Sequence, residues 1–366
     1  MAISTIPMQG FSQQGINFRN IIINGDMNIS QRGTSATNVS TGYQTVDRFQ
    51  LTRGAGTLDV SQQTDAPTGQ GFAKSFKVLE NGSGASPSAG DTNIFLQRIE
   101  GQNLQYIKKG TSSAESLTLS FWIKAKVTGT YIVELYDADN TRQISKTYTV
   151  SSSETWEKKT ITFPADTTGT LDNDNAVSLI VQFWFTAGSN FTSGTLNTSW
   201  NSATNANRAV GLTNALASAN DYVQLTGIQL ETGTTASNFE FLPIDVNLDR
   251  CKRYFQTKGT SLSPNAFTNN QTVAMGLART VSSAQCYMEL NPIMRSEPTV
   301  SGIGTMSNLK CHTATGGNVD TSSKGADGTP NRQHVTYIAN NLTSGLNNNE
   351  PVRLYGDYTI TFDAEL

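Results

Sequence analysis

Between Ser116 and Lys126 the sequence alternates without interruption: Leu117, Leu119, Phe121, Ile123 and Ala125 fall on one parity, Thr118, Ser120, Trp122, Lys124 and Lys126 on the other. Period two is the signature of a strand with one face in a core and one face outside, and a helix cannot carry it. Similar stretches follow at Tyr131–Tyr136, Lys146–Val150, Trp156–Phe163 and Val177–Phe185, separated by turn signals such as Thr128-Gly129 and Asp172-Asn-Asp-Asn175. The gaps are too short for crossover helices, so the strands pair antiparallel and the expected architecture is a sandwich. In Asp221–Glu231, Val223 and Leu225 lie on one parity and Ile228 and Leu230 on the other. A β-bulge at Gly227 restores all four to one face, since an inserted residue shifts the alternation and glycine accepts the conformation.

Composition agrees with such a fold. Hydrophobic residues make up 36% of the 366 residues and charged residues only 15%, against about 25% charged in an average soluble domain. Ser, Thr, Asn, Gln and Gly replace the missing charge. A chain this long is expected to hold more than one core, because single cores seldom exceed about 250–300 residues. With 26 basic and 29 acidic residues the formal net charge is −3, so no overall field draws a phosphate backbone and nucleic acid is disfavoured as a partner. The opening residues lack a secretory signal and no segment has the apolar length of a membrane span, which predicts a soluble chain made without either and not inserted in a membrane. Cys251, Cys286 and Cys311 are an odd set in the last third and read as free thiols.

Along the chain, residues 1–45 read as an arm and attachment segment, with Asn20–Asn24 as a short strand before the Asn24-Gly25 turn and Met27–Arg32 as its return. Phe18, Ile21, Ile22 and Ile23 are its candidate anchoring residues. The sandwich is expected over 46–243, with Phe191–Ser218 as a long surface loop. A helical connector follows over 244–256, about nine residues of it helical, with Leu248, Cys251 and Phe255 supplying the apolar stripe. A smaller β module occupies 257–366, its strands at Gln271–Ala278, Ala284–Leu290, Thr299–Ile303, His334–Asn340 and Arg353–Asp363 and its loops at 312–333 and 340–350.

Several stretches carry a family resemblance. Asn20-Ile-Ile-Ile-Asn-Gly-Asp-Met-Asn-Ile-Ser-Gln-Arg-Gly33 followed by Tyr43-Gln-Thr-Val-Asp-Arg-Phe49 resembles the opening of many bacteriophage tail-fibre and virion appendage proteins. Ser116–Ala125 and Tyr222–Gly233 are similar to strands of the carbohydrate-binding jelly rolls in such fibres. Leu248-Asp-Arg-Cys-Lys-Arg-Tyr-Phe255 is similar to their connector, and Met294–Val300 and Phe362–Leu366 to their last module. The sequence departs from the pattern at Phe49, where Trp is common, and at Phe239-Glu-Phe-Leu-Pro243, where an arginine usually precedes the proline. The resemblance implies an all-β chain: an antiparallel jelly-roll sandwich resembling a carbohydrate-binding module, then a second, smaller β-sandwich module, with one short connecting helix. It implies a structural virion protein, made in the host bacterial cytoplasm, that forms a homotrimer, contacts other virion proteins of tail or capsid, and contributes to host attachment. A capsid decoration or capsid fibre protein and a glycan depolymerase are the alternatives.

On the residues themselves, Trp122 and Trp184 are the candidate glycan ligands, with Lys124 and Gln182 beside them. Each tryptophan falls on the polar parity of its strand, and a flat ring flanked by amides and ammonium groups suits the C–H faces and hydroxyls of a sugar. The competing reading is that these rings pack beneath loops or at an interface. Asp137 and Asp139, in Tyr136-Asp-Ala-Asp-Asn140, have oxygen ligands at alternating positions and are the candidate calcium ligands, although the glycine and distal glutamate of an EF-hand are absent and a solvated hairpin turn explains them better. No other cofactor is expected. Catalysis has little support: His312 and His334 are the only histidines, and no nucleophile elbow, phosphate loop or zinc-protease motif is present. The chain is therefore expected not to be an enzyme. Cys286, Cys311, His312 and His334 lack the paired spacing of a structural zinc site.

Overall fold

The computed structural model describes residues 18–259, 272–301, 310–313, 317–326, 331–342, 346–355 and 359–366. Between residues 116 and 232 the main strands lie where the alternation puts them. In chain order the sandwich strands are β1 (Ser35–Ala36), β2 (Gln50–Arg53), β3 (Leu58–Gln63), β4 (Ser75–Glu80), β5 (Thr92–Glu100), β6 (Leu117–Ala125), β7 (Gly129–Asp137), β8 (Arg142–Val150), β9 (Glu157–Phe163), β10 (Val177–Ala187), β11 (Asn201–Ser202) and β12 (Tyr222–Thr232). They form two six-stranded antiparallel sheets: sheet I in the order β1-β3-β4-β12-β6-β9 and sheet II in the order β11-β8-β7-β10-β5-β2.

The apolar parities face each other between the sheets. Phe121 and Ile123 of β6, Val181 and Phe183 of β10, and Val223, Leu225, Ile228 and Leu230 of β12 belong to one buried cluster. Phe95 stacks on both Phe49 and Phe76, at centroid separations of 4.7 and 4.2 Å, and Phe121 meets Phe183 edge to face at 5.0 Å. Such pairs contribute about 0.5–1.5 kcal/mol each beyond their buried area. The pairing of β12 with β6 shifts register between Thr226 and Gln229, and Gly227 sits there at φ +62°. The bulge read from the sequence is therefore present, and it does what the parity required.

Residues 20–32 correct the sequence reading. They form no strand; Asn24 and Met27 both adopt positive φ, and the Asn24 side chain bonds Ile29 at both its amide and carbonyl. Ile21 and Ile22 enter the main core, and Ile21 N–H donates to Leu230 O at 2.9 Å. Gly25 runs so close to β12 that a Cβ there would lie 2.0 Å from the Ile228 carbonyl oxygen. The β-branched run closes an end of the sandwich instead of pairing as a strand, because burying three isoleucines gains more than one short exposed strand would. Of the expected arm, only residues 1–17 lie outside the described residues.

After the one-turn helix α1 (Ser189–Thr192), the connecting helix α2 spans Ile244–Lys252, nine residues. It buries Cys251 completely, and Leu248 packs beside it on Ile23, Ile29 and Tyr254; Phe255 has already left the helix. The smaller module holds β13 (Phe255–Gly259), β14 (Thr272–Thr280), β15 (Ser283–Glu289), β16 (Thr299–Ser301), β17 (Lys310–Thr313), β18 (Gly317–Ala326), β19 (His334–Leu342), β20 (Pro351–Tyr355) and β21 (Thr359–Asp363). β13, β21 and β16 make a small sheet, and the other six close on themselves in the order β14-β15-β19-β18-β17-β20. The chain is all-β with one short connecting helix, as expected. Within 312–333, read as loop, lies β18 and the end of β17: a Gly- and Ser-rich strand shows no hydrophobic period, yet closure of a barrel supplies its backbone partners.

Candidate functional site

The polar parity of β6 faces outward from sheet I, and there Trp122 and Lys124 keep their expected places, both partly exposed. Trp122 stands opposite Thr226 on one side and Lys158 on the other; Lys124 stands opposite Gln224. The Lys124 ammonium reaches Asp65 at 2.9 Å, and the other oxygen of that carboxylate accepts the Trp156 indole N–H at 3.1 Å. Burial raises the Asp65 pKa, but the hydrogen bonds from Lys124 and Trp156 outweigh it and hold the carboxyl below its ordinary value. On β4, beyond β12, Lys77 lies 4.2 Å over the Tyr222 ring, whose hydroxyl donates to Glu154. Burial and that carboxylate push the phenol up to about 12.

Beside this polar strip is an aromatic group that the sequence did not single out. Phe72, Phe239 and Phe241 touch one another at centroid separations of 4.8–5.1 Å, and Phe241 is 48% exposed. Phe72 and Trp122 both close over the bulge: a Cβ at Gly227 would lie 2.6 Å from Phe72 Cζ and 3.1 Å from Trp122 Cδ1. The bulge thus leaves a gap that two rings fill from opposite sides. The available signal was Phe239-Glu-Phe241 itself, the stretch that departs from the family pattern.

Trp184 and Gln182 are not part of this surface. They lie on the outer face of the other sheet, and the polar, aperiodic segment after β10 covers them. Ala209 N–H donates to Phe191 O and Ala215 N–H to Phe185 O, both at 2.9 Å, fastening that segment down. Trp184 is 0% exposed and Gln182 5%. The indole N–H donates to Glu134 at 3.1 Å, and Arg208 from the covering segment makes a two-pronged pair with the same carboxylate. Burial raises the Glu134 pKa, and Arg208 opposes the rise. Trp184 is a core residue beneath a loop, and the four expected ligand residues divide between two faces.

The two expected calcium ligands do not converge. Asp137 and Asp139 lie at the β7–β8 hairpin, where Asp137 accepts the Asn140 N–H and pairs with the ammonium of Lys109 at 2.5 Å. Lys109 also contacts Asp166 at 3.0 Å and the carbonyl oxygens of Thr168 and Gly169 at 3.0 and 2.9 Å. Asp139 turns elsewhere and accepts the Asp172 N–H at 2.9 Å. An ammonium group thus occupies the oxygen cage a hard cation would need. Burial works against ionisation of Asp166, but Arg142 and Lys109 bring its pKa below the ordinary carboxylate range. Among the described residues no group of three His, Cys, Asp or Glu side chains could hold a metal ion. Cys251 and Cys286 are buried and belong to no disulfide among the described residues.

The opening, connector and final stretches that carry the family resemblance meet in space. Asp47 accepts the N–H of Gln31 at 2.9 Å and its side-chain amide at 2.5 Å, while that amide also donates to Phe255 O. Arg48 pairs with Glu365 and lies 3.4 Å over the Tyr254 ring; Arg32 pairs with Asp363 at 3.1 Å and covers Phe255 at 3.6 Å. Tyr43 donates to Leu366 O. Glu100 receives Arg253 at 2.8 Å, and Arg295 lies 3.5 Å from it. The motifs therefore fasten the sandwich, helix α2 and the smaller module together. Of the expected anchoring residues, Ile21, Ile22 and Ile23 are buried here and in the core, and Phe18 is half exposed at the rim.

Comparison with protein-family models gives no match, and comparison with curated proteins gives none. Among solved structures, the enzymatically active domain of bacteriophage CBA120 tailspike protein 4 is 13% identical over 59% of this chain, with a TM-score of 0.32; the match spans 22% of that protein's length. A CBM4 structure is 13% identical over 57% of this chain and 98% of its own, with a TM-score of 0.28. The family 11 carbohydrate-binding module of cellulase Lic26A-Cel5E from Clostridium thermocellum is 14% identical over 55% of this chain and 97% of its own, with a TM-score of 0.27. Likenesses at these scores carry no argument, and the fold rests on the sheet order and register of the chain itself.

Proposed function

We propose that the chain is a non-catalytic structural subunit of a bacteriophage appendage that binds host-surface glycan on the outer face of sheet I. The observation that carries the glycan reading is the pairing of the part-exposed Trp122 ring with the Lys124–Asp65–Trp156 hydrogen-bonded strip. A ring offers a sugar's C–H groups a stacking face, and fixed donors and acceptors at its edge choose among hydroxyl orientations. Attachment to the particle belongs to residues 1–17 and the half-exposed Phe18, next to the junction at which the family-like motifs gather. Assembly as a homotrimer is supported by a cluster of exposed apolar side chains on the smaller module, with Met275 68%, Leu277 51%, Val281 62% and Tyr287 54% exposed. Met275 and Tyr287 are directly paired across β14 and β15, so these two form one patch.

The test is binding of the full chain to a panel of host-surface polysaccharides, compared with Trp122→Ala and Lys124→Ala. The expected result is measurable binding reduced about fivefold or more by Trp122→Ala, as loss of an aromatic stacking partner is worth about 1 kcal/mol or more. Binding that is indifferent to both substitutions rejects the surface, and steady release of reducing sugar makes the chain a depolymerase instead.

A further inference from the structure

The junction holds a half-open pocket of about 280 Å³ between the segment following Phe18, the end of β5 and helix α2. Four arginines, Arg48, Arg98, Arg250 and Arg253, line it, and no carboxylate does. Two of them are neutralised from outside its walls, Arg48 by Glu365 and Arg253 by Glu100. Arg98 reaches the neutral side-chain oxygen of Gln50. Arg250 forms no ion pair among the described residues; its guanidinium lies 5.6 Å over the Phe18 ring. Glu240, whose charge acts on Arg250, is engaged by the backbone N–H groups of Phe18, Arg19 and Asn20 at 3.1, 3.3 and 2.9 Å. Burial accordingly lowers the Arg250 pKa from its usual value.

Arg250 is part-buried and has no direct ion pair among the described residues, and an anion entering the pocket offsets the cost of that incomplete solvation. The remaining walls specify more than charge. Ile21, Ile99 and Tyr106 form an apolar and aromatic side, which an inorganic anion would leave unused. The volume lies just below the roughly 300–1,000 Å³ of ligand pockets, suited to one ring and not to an oligosaccharide. Residues 1–17 contain neither Asp nor Glu, so that segment cannot supply the charge.

We infer that this cavity binds a carboxylate-bearing sugar unit, a hexuronate, with its carboxylate at Arg250 and Arg98 and its ring against Tyr106. The site shares no residue with the Trp122 surface and stands apart from the reading of that surface.

The experiment is calorimetric titration of the full chain with glucuronate, glucose and inorganic phosphate, repeated on Arg250→Gln, Arg98→Gln and Tyr106→Ala. Glucuronate is expected to bind, and glucose to bind about tenfold or more weakly, the difference a charge-assisted hydrogen bond makes. Arg250→Gln should remove that preference without lowering the melting temperature, and Tyr106→Ala should weaken glucuronate while leaving phosphate unchanged. Equal binding of glucuronate and glucose, or glucuronate affinity unaffected by Arg250→Gln, overturns the site. Phosphate binding as tightly as glucuronate and insensitive to Tyr106→Ala overturns the sugar assignment and leaves a plain anion site. Should Arg250→Gln not fold, Arg98→Gln gives the same readout. Trp122→Ala, which tests the surface on sheet I, is expected to leave all these affinities unchanged.

Discussion

Arg48 and Glu365 form a buried ion pair although 317 residues separate them in sequence. Their side chains are 1% and 4% exposed. Arg48 also donates to Arg98 O at 2.8 Å and lies on the Tyr254 ring. The pair joins the sandwich to residues that follow the smaller module's last strand.

Removing one partner leaves the other charged, buried and unpaired. Glu365→Ala is expected to cost about 3–5 kcal/mol, read as a lower urea midpoint. The double replacement Arg48→Met with Glu365→Leu should recover most of that loss, since a packed apolar pair avoids the desolvation of both ions. A single substitution that leaves the midpoint in place refutes the role given to the pair.

Lys109 and the oxygen cage around it give a second expectation. Lys109→Ala should destabilise the fold by about 3–5 kcal/mol, because Asp137 then keeps a buried charge without a partner. Millimolar calcium should raise the melting temperature of that variant, as a ligand that binds only the folded state does, while leaving the parent chain unmoved. A variant indifferent to calcium would show that the cage is shaped for an ammonium group alone.

Asp47 sets a pH dependence. Burial outweighs its hydrogen bonds from Gln31 and raises its pKa from 3.8 to about 6. A folded-state pKa above the unfolded one means that the native state binds the extra proton between those values, so stability is greatest below pH 3.8 as far as this group is concerned and falls as pH rises through about 6. Relative to Asp47→Asn, the parent chain should lose about 2.4 kcal/mol between pH 4 and pH 7, most of the total set by about 1.36 kcal/mol per unit of pKa difference. Parallel stability profiles for the two proteins would refute it.

The two tryptophans should separate stability from binding. Trp184→Ala is expected to cost about 3–5 kcal/mol, as large core truncations do, and to leave glycan affinity per folded molecule unchanged. Denaturation curves and binding isotherms on the same samples decide this. A loss of affinity in the folded Trp184 variant would mean that the covering segment opens.

Whatever repeats locally was legible in the sequence. Leu117 to Ala125 announced a strand with one face buried, and the parity break around Gly227 announced the bulge, because both follow from a two-residue period. What depends on a distant segment was not. Trp184 has the same local pattern as Trp122, and only a loop without any period, fastened at Ala209 and Ala215, makes one a core residue and the other a surface residue. Asp137 and Asp139 looked like metal ligands because their spacing says nothing about Lys109. Ile21 to Ile23 looked like a strand because β-branched runs usually are, whereas here they cap a core. The resemblance motifs were recognised by pattern before their physical role was visible: Gln31, Asp47, Arg48 and Tyr254 are companions in one junction.

The long separation between Arg48 and Glu365 has a consequence for synthesis. At about 5–20 residues per second, a guanidinium made at position 48 waits roughly a quarter of a minute to a minute for its counter-ion to be translated. Through that interval the sandwich strands can pair, but the junction holds an unmatched buried cation. A chain that stops short of residue 365 keeps that defect permanently, so the fold carries its own test of whether translation has reached the far side of the barrel.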